Sequence, residues 1–386
     1  MSGRREPSPP ADGSGSATGC DSSVQSCPHA KSLKGEVVAV TWGSDIKTSH
    51  RQATIVAPHW EVGLAVYDGS GSKRAGAYLI EGKGKDRLKV KVRITENINV
   101  SGDSTLSGQL GTLKMTGTCP TAVGEHEVNA KIEKRPDAIR HFQGDVSWGL
   151  EVPDLAACIG LGNSTRLEVF VILDDPAGFY DPPGVWVEAL RFVCDTVGAN
   201  GLKTGAEVVA KVATYLHGSH GLGYDTRRGA PAYGVSGSGG TFKLKDYLAA
   251  AARVVNCYDQ AGGVQALCGA VGVDTTWYYL DPYGFINTTN LVGVGNCNNP
   301  FFLSNGSSAV VPADDPKRTA FGNHAFCGLA GKVLDACAGP HTGTETKAQY
   351  CAAAIDATPA LYARYSGFRP GTAADIVEPG GITGLA

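Results

Sequence analysis

The sequence predicts a multidomain chain, an N-terminal all-β sandwich region followed by an α+β domain. Three observations carry this expectation. Short apolar alternations broken by Gly, Asp and Asn run from Glu36 to about Asp175; the Pro- and Gly-rich stretch DDPAGFYDPPGVW spans 174–186; and beyond it apolar residues recur at helical spacing. With 386 residues the chain is long enough for more than one core, and 42% hydrophobic against 18% charged residues is ordinary for a folded protein, while 52 Gly favours turns and short strands.

Residues 1–33 are rich in Ser, Gly and Pro with almost no apolar content, so they are expected to form a disordered tail. The β region follows over 34–178. Its clearest strand has Leu88, Val90, Val92 and Ile94 alternating with Arg87, Lys89, Lys91 and Arg93, a period of two that buries one face and leaves the other basic and solvated. Leu113 with Met115, Val128 with Ala130 and Ile132, and Leu167 with Val169 and Val171 repeat the pattern. Turn signals at DGSGSKR (68–74) and SGDS (101–104) suit antiparallel pairing, in one or two Ig-like modules with a boundary near residue 97 if there are two.

From 179 to 386 the texture changes. Trp186, Ala189, Leu190 and Val193 mark one helix, and Val208, Val209, Val212 and Leu216 mark a second within 206–216. The Gly- and Tyr-rich stretch 217–240 reads as an irregular loop or hairpin. His217 and His220 lie in it without a third metal ligand.

Balanced charge, 34 Lys and Arg against 37 Asp and Glu, gives no electrostatic reason to expect nucleic acid or an anionic membrane as partner. No apolar run is long enough to cross a bilayer, so no membrane insertion is expected. The first residues lack the pattern of a Sec signal peptide, which points to a chain cytoplasmic as made or exported by a signal-peptide-independent route. Eleven cysteines are an odd number, so at least one thiol stays unpaired in a monomer. No CxxC pair occurs, and Cys20, Cys27 and His29 lack a fourth ligand, so no metal and no organic cofactor is expected. A disulfide among Cys297, Cys327, Cys337 and Cys351 is left open.

The chemistry concentrates downstream of residue 250. In RVVNCYDQAGGVQALCGAVGV (253–273), Asn256 is a helix N-cap and Asp259 sits in the first turn, which puts Cys257 at the helix start. A helix N-terminus favours a thiolate and offers free N–H groups to an oxyanion. Ala261, Val264, Cys268 and Val271 form an apolar stripe that buries the helix, with Cys268 as packing. In FGNHAFCGLAGKVLDAC (321–337), two short extended segments joined through 328–331 read as a hairpin carrying His324 and Asp335. A carboxylate there can hold the far ring nitrogen while the near one faces the thiol, giving a Cys257, His324, Asp335 triad. Asp281, Asp314 and Asp315 are the competing carboxylates. The aromatic run Trp277, Tyr278 and Tyr279 either lines a cleft or fills a strand, with at least one in the core.

These segments, NCYDQAGGVQALCGAVGV, GNHAFC and KVLDAC in that order, resemble the core of the transglutaminase-like superfamily over roughly residues 185–365. The resemblance implies a papain-like catalytic domain over 179–386, with Cys257 as nucleophile, His324 as general base and acid, and Asp335 as its orienter. The sequence departs from the family's HAW and later Asp-Pro, with HAF and Asp-Ala in their place. The implied activity is attack on an amide bond of a protein or peptide substrate through a thioester, as protease, deamidase or transglutaminase-type acyltransferase. The alternatives are a binding or delivery protein with an idle scaffold of this kind, or an exported bacterial effector that uses it as a toxin.

Overall fold

The computed structural model describes residues 30–386 apart from 45, 66, 69–70, 73, 81–86, 302–309, 317 and 365–366. The expected tail lies outside the described residues up to 29; strand pairing begins at Ser32, slightly earlier than expected. The N-terminal half contains β1 (Ser32–Trp42), β2 (Thr48–His50), β3 (Trp60–Glu61), β4 (Gly76–Leu79), β5 (Arg87–Ile98), β6 (Asp103–Leu110), β7 (Leu113–Pro120), β8 (Gly124–Ile132), β9 (Arg140–Val146), β10 (Trp148–Val152), β11 (Ala157–Gly160) and β12 (Thr165–Ile172).

Eight of these strands form one curled antiparallel sheet, a half-barrel in the order β11-β10-β6-β7-β8-β5-β1-β3. Val40, Val90 and Val128 face one another across β1, β5 and β8 and are all buried. On the opposite face Lys89 pairs with Glu127 at 2.9 Å, Lys91 with Glu125 at 2.6 Å and Arg93 with Glu36 at 2.8 Å, so the basic stripe is matched by acidic neighbours. Burial of each large side chain on the inner face stabilises by about 1.5–3 kcal/mol, whereas the exposed pairs are screened by solvent and add little. Two register shifts in β1, at Lys34/Gly35 and Val37/Ala39, bend the strand and curl the sheet. Residue 97 lies inside β5, where Asn97 pairs with Leu33 of β1.

A second sheet, β9-β12-β4, is a wall shared by two cores. Leu167 and Val169 of β12 face the half-barrel core, while Phe170 and Ile172 belong to the core of the C-terminal half. Burial on both faces explains why β12 reads as an almost continuous apolar run.

The stretch 174–186 is anchored through its buried residues Tyr180, Val185 and Trp186. Tyr180 is buried and its hydroxyl donates to Ala266 O at 2.9 Å. Strand β13 (Val185–Trp186) then pairs in parallel with β2, tying the chain after the junction to the N-terminal half. Helix α1 (Val187–Arg191) continues as a π-helical turn to Val197. Its Arg191 donates to Glu168 on β12 at 2.7 Å, and His141 of β9 bridges Glu168 at 3.0 Å and Asp195 at 2.8 Å. Despite its burial, Arg191 and His141 hold the Glu168 carboxyl below its ordinary range.

The C-terminal half adds α2 (Gly205–Gly218), α3 (Leu244–Leu248), α4 (Cys257–Ala270), β14 (Thr276–Leu280), β15 (His324–Leu329), β16 (Lys332–Asp335), β17 (His341–Thr346), α5 (Lys347–Ala354) and β18 (Ile376–Val377). Five strands make an antiparallel sheet in the order β17-β16-β15-β14-β18, and α4 packs on β15 and α2. Helix α2 begins at a Thr204–Glu207 capping box and extends through His217, which therefore belongs to the helix and not to the loop. Among the described residues no helix is long and apolar enough to cross a membrane.

Candidate active site

Helix α4 starts where the sequence places it. Asn256 caps it, accepting the Asp259 N–H at 3.1 Å, while the Asp259 carboxylate accepts the Asn256 N–H at 3.1 Å. This reciprocal cap takes the Asp259 amide, and Asn256 O accepts the Gln260 amide at 3.2 Å. The amides of Cys257 and Tyr258 are the first-turn donors left without an intrahelical acceptor.

The helix is buried on nearly every side, more than a single apolar stripe requires. Glycines make this feasible. A Cβ on Gly262 would sit 2.9 Å from the Phe242 ring, and one on Gly263 would sit 2.7 Å from Tyr247 Cε1, so both aromatic rings lie directly on the helix backbone. Gln260 adds a polar fastening, donating to Leu216 O at 3.2 Å and Ala336 O at 3.0 Å while accepting the Tyr247 hydroxyl at 2.5 Å.

Asp259 also reaches outward. Its oxygens accept the amides of Ala232 at 2.8 Å and Tyr233 at 2.9 Å, fastening the glycine-rich stretch to the helix start. Burial pushes its carboxyl up to about 6, against the pull of these amides.

The hairpin expected downstream is present, with a two-residue turn at Ala330 and Gly331, both at positive φ (49° and 76°), as a type I′ turn requires. His324 opens β15 and Asp335 closes β16. Their side chains meet at 2.8 Å between Nε2 and Oδ2, with both residues buried. The second carboxylate oxygen accepts the amides of Cys337 at 2.7 Å and Ala338 at 3.1 Å. Because the carboxylate accepts, Nε2 carries the hydrogen.

The remaining ring nitrogen, Nδ1, is buried without a hydrogen bond of ordinary geometry. The Cys257 sulfur lies close enough to bias the ring's ionisation. Burial alone would lower the His324 pKa, but the charges of Asp335 and Cys257 and their hydrogen bonds outweigh it and push it up to about 10. In turn, burial would raise Asp335, yet His324 holds its carboxyl down to about 2. Cys257, His324 and Asp335 are therefore brought together, from α4, β15 and β16.

The other candidates sit elsewhere or serve packing. Asp281 is exposed and accepts the Tyr279 hydroxyl at 3.4 Å; Asp314 is exposed and Asp315 half-buried in a turn; Asp335 holds the ring. Cys268 is buried, and Cys327 donates its S–H to Ala261 O at 3.3 Å. Trp277 is core, while Tyr279 is half-exposed. His217 binds Ala336 O at 3.2 Å and His220 binds Tyr247 O at 2.8 Å, so each has a structural partner. Cys20, Cys27 and His29 lie outside the described residues. The nine described cysteines, including Cys297, Cys327, Cys337 and Cys351, are free thiols, and no group of His, Cys, Asp and Glu suited to a metal occurs among the described residues.

Two features escape the sequence reading. Tyr350 of α5 donates to Asp335 Oδ2 at 2.8 Å, and Tyr258, next to the thiol, donates to Asn323, next to the histidine, at 2.5 Å. The adjacency of Tyr258 and Asn323 to Cys257 and His324 is a signal that could have found the second; nothing local marks Tyr350. No protein-family model matches the chain, and no curated protein matches it either.

Proposed function

We propose that the chain is a cysteine-nucleophile enzyme acting on amide bonds of a protein or peptide through a thioester intermediate, on a papain-like, transglutaminase-like C-terminal domain. The observation that carries this reading is the buried imidazole whose Nε2 is bound by Asp335 and whose unpartnered Nδ1 leaves the Cys257 thiol as its coupled neighbour. In this reading the Cys257 proton already rests on His324 Nδ1, and the Sγ thiolate attacks the carbonyl carbon, with the first-turn amides of Cys257 and Tyr258 as donors to the developing oxyanion. The C–N bond breaks as His324 returns the proton to the leaving amine. Water or a second amine then gives its proton to His324 and attacks the thioester, which releases Cys257 as the thiolate beside the reprotonated ring. The acceptor that reaches the thioester sets whether the outcome is hydrolysis, deamidation or cross-linking. No organic cofactor or metal enters the scheme.

A second reading has one observation behind it. Cys257 is only 4% exposed, as suits an idle scaffold in a binding protein. Alkylation of each cysteine by iodoacetamide against pH, read by peptide mass spectrometry in the intact chain and in His324→Ala, separates the two. The enzyme reading expects Cys257 to react far faster than Cys268 below pH ~7, where an ordinary thiol of pKa about 8.5 is mostly protonated, and to lose that advantage without His324. A Cys257 as slow as Cys268 would replace the enzyme with the scaffold.

A further inference from the structure

Asp335 is a buried carboxylate whose oxygens have separate sets of donors. Oδ1 is held by the backbone amides of Cys337 and Ala338. Oδ2 accepts both the His324 ring at 2.8 Å and the Tyr350 hydroxyl at 2.8 Å. The amides hold one oxygen, and the phenol is a further anchor placed on the oxygen that the imidazole uses. Tyr350 is itself held firmly. It is fully buried, and its ring packs 4.6 Å from that of Phe326 and 4.9 Å from that of His341. Helix α5 begins in a Thr346–Gln349 capping box.

We infer that Tyr350 is a positioning residue that aims the Asp335 carboxylate, and through it the His324 ring, at Cys257. This rests on the proposed cysteine chemistry for its catalytic meaning, but the geometry stands by itself. A hydroxyl donated to a carboxylate also disperses its charge, which moderates the hold of Asp335 on the imidazolium. The titratable groups that bear on the pair are Cys257 from α4, His217 at the end of α2, Tyr283, Cys327 in β15, Cys337 after β16, His341 in β17 and Tyr350 in α5.

The test compares the full chain with Tyr350→Phe, which keeps the ring and removes the donor. Three readouts are taken: the His324 titration by NMR of labelled imidazole, the rate of Cys257 alkylation at pH 6, and the thermal midpoint. The expected result is a His324 titration shifted to higher pH and alkylation slowed about fivefold, the worth of one hydrogen bond. Should the Phe variant fold poorly, fluorotyrosine at 350, a stronger donor, is expected to move the titration to lower pH. A lowered thermal midpoint with the titration and alkylation unmoved overturns the inference and makes Tyr350 a core residue only. If Cys257 of the unaltered chain shows no fast alkylation, the enzyme reading fails, while a shifted His324 titration in the variant still supports the positioning role.

Discussion

Asp259 Oδ1 accepts the backbone N–H of Tyr233 at 2.9 Å, joining two residues 26 positions apart. With the bond from Ala232 to Oδ2, it pins the glycine-rich stretch over the helix that carries Cys257. An Asp259→Asn substitution keeps the size but turns one acceptor into an NH₂ group that must face a backbone N–H. We expect a loss of about 1–3 kcal/mol in urea unfolding, the cost of a buried unsatisfied donor. Faster hydrogen exchange is expected at the amides of Ala232 and Tyr233 specifically; unchanged protection there would mean that the stretch is held by other contacts.

The His324–Asp335 pair gives stability a defined dependence on pH. His324 rises from 6.5 to about 10 on folding, so its contribution is complete below pH 6.5 and is lost as pH climbs towards 10. Asp335 falls from 3.8 to about 2, so its contribution is complete above pH 3.8 and is lost as pH drops towards 2. The pair therefore stabilises fully between these limits. Thermal midpoints are expected to decline from pH 6.5 to 10, and His324→Gln is expected to flatten that decline. An identical slope in the variant would place its origin in other groups.

At Gly263 two effects compete. Alanine gains about 1 kcal/mol over glycine in helix propensity, but its Cβ would meet Tyr247 Cζ at 2.5 Å. Tyr247 cannot swing away without breaking its bond to Gln260, and overpacking of this kind costs about 1–3 kcal/mol. Gly263→Ala is expected to lower the urea midpoint, and a raised midpoint would mean that the ring yields easily.

Much of the β half was legible because strand periodicity is a local signal. Leu88, Val90, Val92 and Ile94 are all buried as their alternation demands. The curl and the shared wall were not legible. Leu167 with Val169 and Phe170 with Ile172 serve opposite cores, which depends on what packs against each face and not on the strand itself. Pairing of β2 with β13 involves segments too short to carry any period.

In the site, the cap at Asn256 and Asp259 and the hairpin of His324 and Asp335 have local chemistry that sequence exposes. Tyr350 does not. It reaches Asp335 through the fold, from a helix whose outward signature is only a capping box. The all-round burial of α4 was hidden for a related reason: Gly262 and Gly263 look like breaks in a stripe until Phe242 and Tyr247 are seen filling them.

The strand at 48–50 has a consequence for modularity. It is contributed by the N-terminal half, yet it pairs with Val185 and Trp186, and Gln52 close by donates to Leu385 O at 2.8 Å. The cysteine-bearing half thus leans on residues 48–52 for part of its edge. Whatever recombination or engineering grafts it elsewhere must carry this borrowed strand along, or supply a substitute for the edge it covers.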